Sequence, residues 1–214
     1  MRCLITCGPT YEKLDEVRRL TNFSTGKLGI GLANHLYRAG HEVTLLKGYY
    51  ATCTDASKVP HTEFTTTDDL LTRIHESSRT VHDAVFHAGA VSDFCFGQVF
   101  RRGPNGSLEP IHSGKFATRD GTLLAELVPT PKIINHLRTL FPAAKIFGWK
   151  YEVDGTREEA IELGRKQIRD NLTNYCIVNG PAYNVGYGVI GSDAKPVHCA
   201  TPEDLYKVLL QLAL

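Results

Sequence analysis

Short apolar runs alternating with amphipathic segments constrain this chain more than any other feature. Strand-like runs fall at Arg2 to Cys7, His41 to Lys47, Asp83 to His87, Ala144 to Gly148 and Tyr175 to Val178. Helical periodicity falls between them, at Leu28 to Ala39, Asp68 to Ser77, Pro131 to Leu140, Arg157 to Arg169 and Pro202 to Leu212. Apolar strands separated by helices pair in parallel and must be covered on both faces. The expectation is a doubly wound, Rossmann-like α/β domain with a mainly parallel sheet. Three helix starts carry cap signals: Thr130 before Pro131 at the first helical position, Thr156 with Glu159, and Thr201-Pro202 with Asp204.

Between Phe94 and Val128 the pattern changes. Short runs alternate around Gly103-Pro104-Asn105-Gly106 and Arg119-Asp120-Gly121, read as hairpin-type turns. A β excursion over about 95–128 therefore interrupts the α/β pattern, as a hairpin flap over a site or as a dimer contact. With 214 residues and no repeat or linker, residues 1–214 read as one domain.

Composition removes several function classes. The net charge of +1 gives no basic footprint for nucleic acid. No apolar run has the length of a membrane span, and Met1-Arg2 leads straight into a strand without a signal-peptide pattern, so a cytoplasmic location is expected. The six cysteines include no CxxC pair and read as small core residues in a reducing compartment. The nine histidines lack zinc-binding spacing, and no side chains are expected to hold a metal by themselves.

Function is expected beyond the carboxyl ends of the strands, where open α/β sheets gather their ligands. After the opening RCLITCGPT comes a polar loop and then TNFSTGKLGIG, Thr21 to Gly31. Ser24 and Thr25 read as helix N-caps, and Gly26, Gly29 and Gly31 permit close approach. Lys27 adds a cation. Gly8, Thr10, Ser24, Thr25, Gly26 and Lys27 thus form a candidate phosphate-binding loop. It is no P-loop, since Thr21 stands where the first Gly belongs and Leu28 follows the Lys. It is no clean GxGxxG either, and the second strand ends without the acidic residue that holds a ribose hydroxyl, although Lys47 suits a 2′-phosphate. The other strand ends supply His87-Ala88-Gly89-Ala90-Val91-Ser92-Asp93, then Gly148-Trp149-Lys150, then Asn179-Gly180-Pro181. Small residues at 88 to 90 let a base or sugar reach the backbone. Asp93 is either an acceptor for a ribose hydroxyl or base amine, or a turn residue.

These segments carry a resemblance. ITCGPTYEKLDEVRRLTNFSTGKLG resembles the opening of the phosphopantothenoylcysteine synthetase (phosphopantothenate–cysteine ligase) family, the second half of the bifunctional coenzyme A biosynthesis flavoprotein. That family begins with a strand, a G-P-T turn, a D-x-V-R segment and S-N-x-S-S-G-K-M-G. HAGAVSDF resembles its A-A-V-A-D-Y, ELVPTPKII its region ending N-P-D-I, GWKYE its G-F-A-A-E, and RKQIRDNLTNYCIVN its K-x-x-x-K-N-x-D run.

The resemblance implies a ligase that activates 4′-phosphopantothenate with CTP or ATP and Mg²⁺, releases pyrophosphate, and joins the acyl-nucleotide to cysteine. It implies that Asn22 holds the acyl-nucleotide, and that Arg18 and Ala90 serve the second half-reaction. His87, Ala88, Gly89, Asp93, Pro131, Lys132, Ile133, Ile134 and Trp149 match nucleotide contacts. Lys115 matches the mobile flap lysine and Lys166 a helix lysine near the phosphates. It also implies a homodimer, and no flavin, because the decarboxylase half is absent. The chain departs from the pattern in three places. Ala117 and Thr118 replace two flap lysines, Asp170 replaces a helix lysine, and residues 96–110 are an extra segment whose Arg101 and Arg102, or Arg119, could restore charge. A Rossmann-type NAD(P)-dependent reductase and a nucleotide-binding protein without ligase activity remain alternatives.

Overall fold

Residues Cys3 to Pro9 are all buried, which makes the first strand the centre of the sheet. The computed structural model describes residues 1–53, 59–192 and 195–214. In chain order the strands of the first half are β1 (Arg2–Pro9), β2 (Tyr11–Lys13), β3 (Arg19–Thr21), β4 (Glu42–Gly48), β5 (His61–Phe64) and β6 (Ala84–Ala90). The second half adds β7 (Phe94–Arg102), β8 (Leu108–Ile111), β9 (Leu123–Pro129), β10 (Lys145–Tyr151), β11 (Tyr175–Asn179), β12 (Tyr187–Gly191) and β13 (Val197–Cys199). The helices are α1 (Lys27–Arg38), α2 (Thr67–Ser77), α3 (Ile134–Leu140), α4 (Arg157–Asn171) and α5 (Pro202–Ala213).

Eight strands form one sheet in the order β13-β12-β11-β10-β6-β1-β4-β5. From β5 to β11 every pairing is parallel, and β12 and β13 close that side antiparallel. The order reverses between β1 and β6, so ligands are favoured beyond their carboxyl ends. Helices cover both faces. Ile30, Leu32 and Leu36 of α1 and Leu205 and Leu209 of α5 pack with Cys3, Ile5, Phe86 and Phe147. Leu70 and Ile74 of α2 and Leu137 of α3 pack on the opposite face with Leu4, Val85 and Ile146. Beside α3, Ala160 and Ile168 of α4 meet Cys176, Val178 and Ile190. Each fully buried Leu, Ile or Phe contributes roughly 1.5–3 kcal/mol.

All five strand and five helix expectations correspond to real elements, with ends shifted. The caps differ more. Thr156 accepts from the Glu159 N–H in a capping box, and Thr201 accepts from the Asp204 N–H, as expected. The expected cap at Thr130-Pro131 is corrected: α3 starts later, with Ile133 at its N-cap, because the Thr130 hydroxyl donates to the Ser92 carbonyl at 2.5 Å. Neither Ser24 nor Thr25 caps α1; the N-cap is Gly26 in the left-handed region (φ 76°), with no side-chain cap bond.

The polar segment after Pro9 is a hairpin, β2 with β3, and β5, β12 and β13 lie outside the expected strands. The excursion is a separate three-stranded antiparallel sheet in the order β8-β7-β9, with a bulge between Phe96 and Val99. Gly103 to Gly106 is the expected hairpin turn between β7 and β8, closed by Gly103 N–H to the Ser107 carbonyl at 2.8 Å. Arg119-Asp120-Gly121 is no hairpin turn. It belongs to a single 3₁₀ turn at Thr118–Asp120 leading into β9, which pairs with β7 rather than β8.

Candidate functional site

β1 pairs with β6 up to Pro9 and Ala90, whereas β6 and β10 are paired only as far as Phe86 and Phe147. Beyond that point the ends of β6 and β10 carry His87–Ala90 and Gly148–Tyr151 without pairing to each other, and this edge is where most of the expected site residues meet.

At the start of this edge, backbone meets backbone. Gly8 has φ 80°, and a Cβ there would stand 2.8 Å from the Ala51 Cβ and 3.2 Å from the Gly48 nitrogen. A Cβ on Gly26 would stand 3.0 Å from the Ala51 Cβ and 3.4 Å from the Gly8 Cα. Both glycines therefore let the end of β1, the start of α1 and the turn after β4 touch. Gly29 and Gly31 differ from expectation. Their faces lie against Cys7 and the Tyr206 ring, so they pack α1 onto the core instead of admitting a ligand. The first turn of α1 carries no acidic residue, and Lys27 is exposed, which leaves the positive end of the helix uncompensated. The Thr25 hydroxyl accepts the Lys27 N–H at 3.3 Å.

Thr10 is buried and ties four segments together. Its N–H donates to the Ala90 carbonyl at 3.1 Å, and its hydroxyl donates to Ser92 Oγ at 3.0 Å while accepting the Ser92 N–H at 2.8 Å. The Thr21 hydroxyl donates to the Thr10 carbonyl at 2.8 Å. Behind it, the buried Glu12 carboxylate accepts from the Thr67 N–H and hydroxyl at 3.0 and 2.7 Å. Thr10 thus fixes the loop; its side chain does not face a ligand.

Asn22 and Ala90, expected to act in one reaction, are in direct contact: Asn22 Nδ2 donates to the Ala90 carbonyl at 2.9 Å. The Thr6 hydroxyl accepts the Gly89 N–H at 3.1 Å and lies 2.8 Å from His87 Nδ1. Burial holds the His87 ring down at a pKa of about 4, so it stays neutral at physiological pH. Exposed Asp93 contacts Lys132, its carbonyl accepting the Thr130 N–H at 3.0 Å. Pro131 and Lys132 point outward, while Ile133 is buried and Ile134 half-buried in the second core, so only their backbone can meet a ligand. Trp149 packs partly against the core of α1 and α5, and its buried indole N–H has no hydrogen-bond partner among the described residues.

Arg18 and Lys115 meet through the flap. Arg18 Nη2 donates to the Phe116 carbonyl at 2.9 Å and Nη1 to Asp15 Oδ2 at 2.8 Å. Lys115 itself is exposed. Removal from water raises the pKa of the Asp15 carboxyl, but N–H groups of Val17, Arg18 and Phe116 and the Arg18 charge outweigh that and hold it below the usual value. Asp15 joins the expected site residues only in the folded structure, and the Asp-x-x-Arg spacing to Arg18 is its signal in the sequence. Lys166 lies on α4 and pairs with Asp170 at 2.5 Å, so its charge is offset within its own helix. Arg101 is 3.9 Å from Glu109 on the β7–β8 hairpin. Among the described residues, no group of three His, Cys, Asp or Glu could hold a metal.

A sequence model of the DNA/pantothenate metabolism flavoprotein C-terminal domain matches residues 1–204. The chain belongs to this family. The coenzyme A biosynthesis bifunctional protein CoaBC of Thermococcus kodakarensis is 34% identical over 184 residues, which are 83% of this chain and 41% of that protein. CoaBC of Escherichia coli K12 is 28% identical over 183 residues, 82% of this chain and 40% of that protein. The domain thus spans about two-fifths of the length of these curated relatives. The crystal structure of the DNA/pantothenate metabolism flavoprotein from Streptococcus pneumoniae matches with a TM-score of 0.84 and 27% identity, covering 99% of this chain and 97% of that one. Cab2 H337A, solved as a complex with phosphopantothenate-cysteine, shares the fold at a TM-score of 0.70 and 17% identity, over 98% of this chain and 85% of that one.

Proposed function

We propose that this flavoprotein-family domain is a phosphopantothenate–cysteine ligase working through an acyl-nucleotide. The 4′-phosphopantothenate carboxylate attacks the α-phosphorus of CTP or ATP, and pyrophosphate leaves. The cysteine amine then attacks the acyl carbon, the nucleoside monophosphate leaves, and an amide remains. Mg²⁺ belongs to the nucleotide substrate and is held by its phosphates.

The observation that carries this reading is the Asn22 amide seated on the Ala90 carbonyl where the strand order reverses. It sets an amide donor beside the β1 and β6 ends, where an acyl-phosphate would lie. The exposed start of α1 with Lys27, together with Lys115 and Lys132, offers positive charge to the phosphates. Asp93 accepts from the ribose or base, and the edge at Ala88, Gly89 and Trp149 receives the nucleoside.

The working unit is a homodimer. β9 is an edge strand that exposes Leu124, Leu127 and Val128, and neighbouring Phe94 is exposed as well. An apolar edge of this kind is a ready template for a second copy. The deciding experiment measures pyrophosphate release with 4′-phosphopantothenate, Mg²⁺ and CTP or ATP, then amide formation on adding cysteine. Release that needs the pantothenate supports the reading; nucleotide binding without release sinks it.

A further inference from the structure

We infer that Asp15 is a positioning residue for Lys115: its buried carboxylate and the Arg18 guanidinium grip the Phe116 peptide from both sides and set where the neighbouring lysine stands. The assignment rests on the ligase reading for what Lys115 does, and on geometry alone for how it is held.

The Asp15 side chain is fully buried although its β2–β3 hairpin is otherwise largely exposed. A buried carboxylate is costly unless each oxygen is hydrogen-bonded. Oδ1 accepts the Val17 and Arg18 N–H groups at 2.8 and 2.7 Å, which is all that capping the turn requires. Oδ2 goes elsewhere, accepting from Arg18 Nη1 at 2.8 Å and from the Phe116 N–H, a hundred residues on, at 3.2 Å. Arg18 Nη2 donates to the carbonyl of the same residue at 2.9 Å.

The peptides around Lys115 are held as well. Glu16 N–H donates to the Gly114 carbonyl at 3.1 Å. The Ser113 hydroxyl donates to the Lys115 carbonyl at 2.8 Å and accepts its N–H at 3.2 Å. The Phe116 ring is buried, and Leu14 and Phe116 wall one cleft of ≈ 620 Å³. So the backbone from Gly114 to Phe116 is fixed while the Lys115 side chain stands in solvent. A turn residue would need one carboxylate oxygen; the second is shared between the Arg18 guanidinium, which itself reaches the Phe116 carbonyl, and the Phe116 N–H.

The substitution that separates these roles is Asp15→Asn, which keeps Oδ1 and turns Oδ2 into a donor facing the Phe116 N–H and Arg18. Asp15→Ser, which retains one cap acceptor, serves as a second variant if the first does not fold. Single-turnover pyrophosphate release should fall between about tenfold and a hundredfold, the cost of a misplaced group, with affinity for the nucleoside monophosphate unchanged. In a Lys115→Gln background the same substitution should cost nothing further. Losses that multiply in the double variant, or a single variant at wild-type rate, overturn the assignment. Should the wild-type chain release no pyrophosphate, the ligase reading fails and the grip is judged by trypsin. Cleavage after Lys115 should then be at least about tenfold faster in the variant, because cleavage follows local opening. Equal cleavage rates overturn the grip as well.

Discussion

β1 and β9 show how differently two strands of one chain can be committed. β1 is paired on both edges and buried on both faces, and the chain at its end is held by the hydrogen bonds of Thr10 to Ala90 and Ser92. β9 is paired on one edge, and Leu124, Leu127 and Val128 stand in solvent. At the first strand a substitution disturbs folding before it disturbs chemistry. At the second, folding tolerates a change, and the proposed homodimer is what such a change would disturb.

The largest effect belongs to the buried side. His87 has its pKa pushed down to about 4 by burial. Below the ordinary histidine value of about 6.5, the unfolded chain takes up a proton that the folded chain refuses. Stability should therefore fall by about 3 kcal/mol as pH drops from about 6.5 to 4, and stay level, as far as this ring is concerned, above that window. Urea titrations of wild type and His87→Gln at pH 7 and pH 4.5 check this. An unchanged pH slope in the variant would show that another group carries the effect.

Asn22→Asp tests the seam between the two regions. It sets a carboxylate against the Ala90 carbonyl and beside an anionic intermediate, so ligation should slow by about a hundredfold or more. Asn22 is exposed, and its melting temperature should barely move. A large drop in melting temperature would place Asn22 with the folding residues.

Leu127→Asp addresses the open side. A charge at an apolar contact should weaken self-association about tenfold or more, while the chain's own stability shifts by less than about 0.5 kcal/mol. Sedimentation across a dilution series reads the first and thermal melting the second. Dimers as tight as wild type would move the contact away from β9.

Lys132→Met should have the smallest effect. With the ammonium gone, triphosphate should bind about fivefold more weakly, in line with roughly 1 kcal/mol for a partly solvated charge. The unphosphorylated nucleoside should bind slightly more tightly, since Asp93 loses its contact with Lys132. Equal loss for both ligands would assign Lys132 to shape instead of charge.

The parallel core was readable because its strands are continuous apolar runs and its helices repeat at 3.6 residues. β5, β12 and β13 were not. His61–Phe64 has one buried residue of four, and Tyr187–Gly191 contains two glycines, so neither carries a periodic apolar signal. The cap of α1 departs from expectation for a related reason. Ser24 and Thr25 have the right chemistry, but the close meeting of Gly26 with Gly8 and Ala51 is a tertiary demand that no local pattern announces. Within the site, Ala90 and Asp93 are legible because strand ends can be enumerated, whereas Asn22 rests on the family resemblance. Asp15 is not legible in the sequence because one of the two donors to its second oxygen, the Phe116 N–H, lies far away along the chain.

Gly8, Gly26 and Gly48 meet through main chain alone, and that has a consequence for how this protein can change over generations. Most binding sites drift by small steps, one side chain exchanged for a slightly larger or more polar one. Here the first step in size, a methyl group, already strikes a neighbour at Gly8. Inheritance can reshape exposed side chains beside this floor, such as Lys27 next to Gly26, but the floor itself is handed on whole or lost.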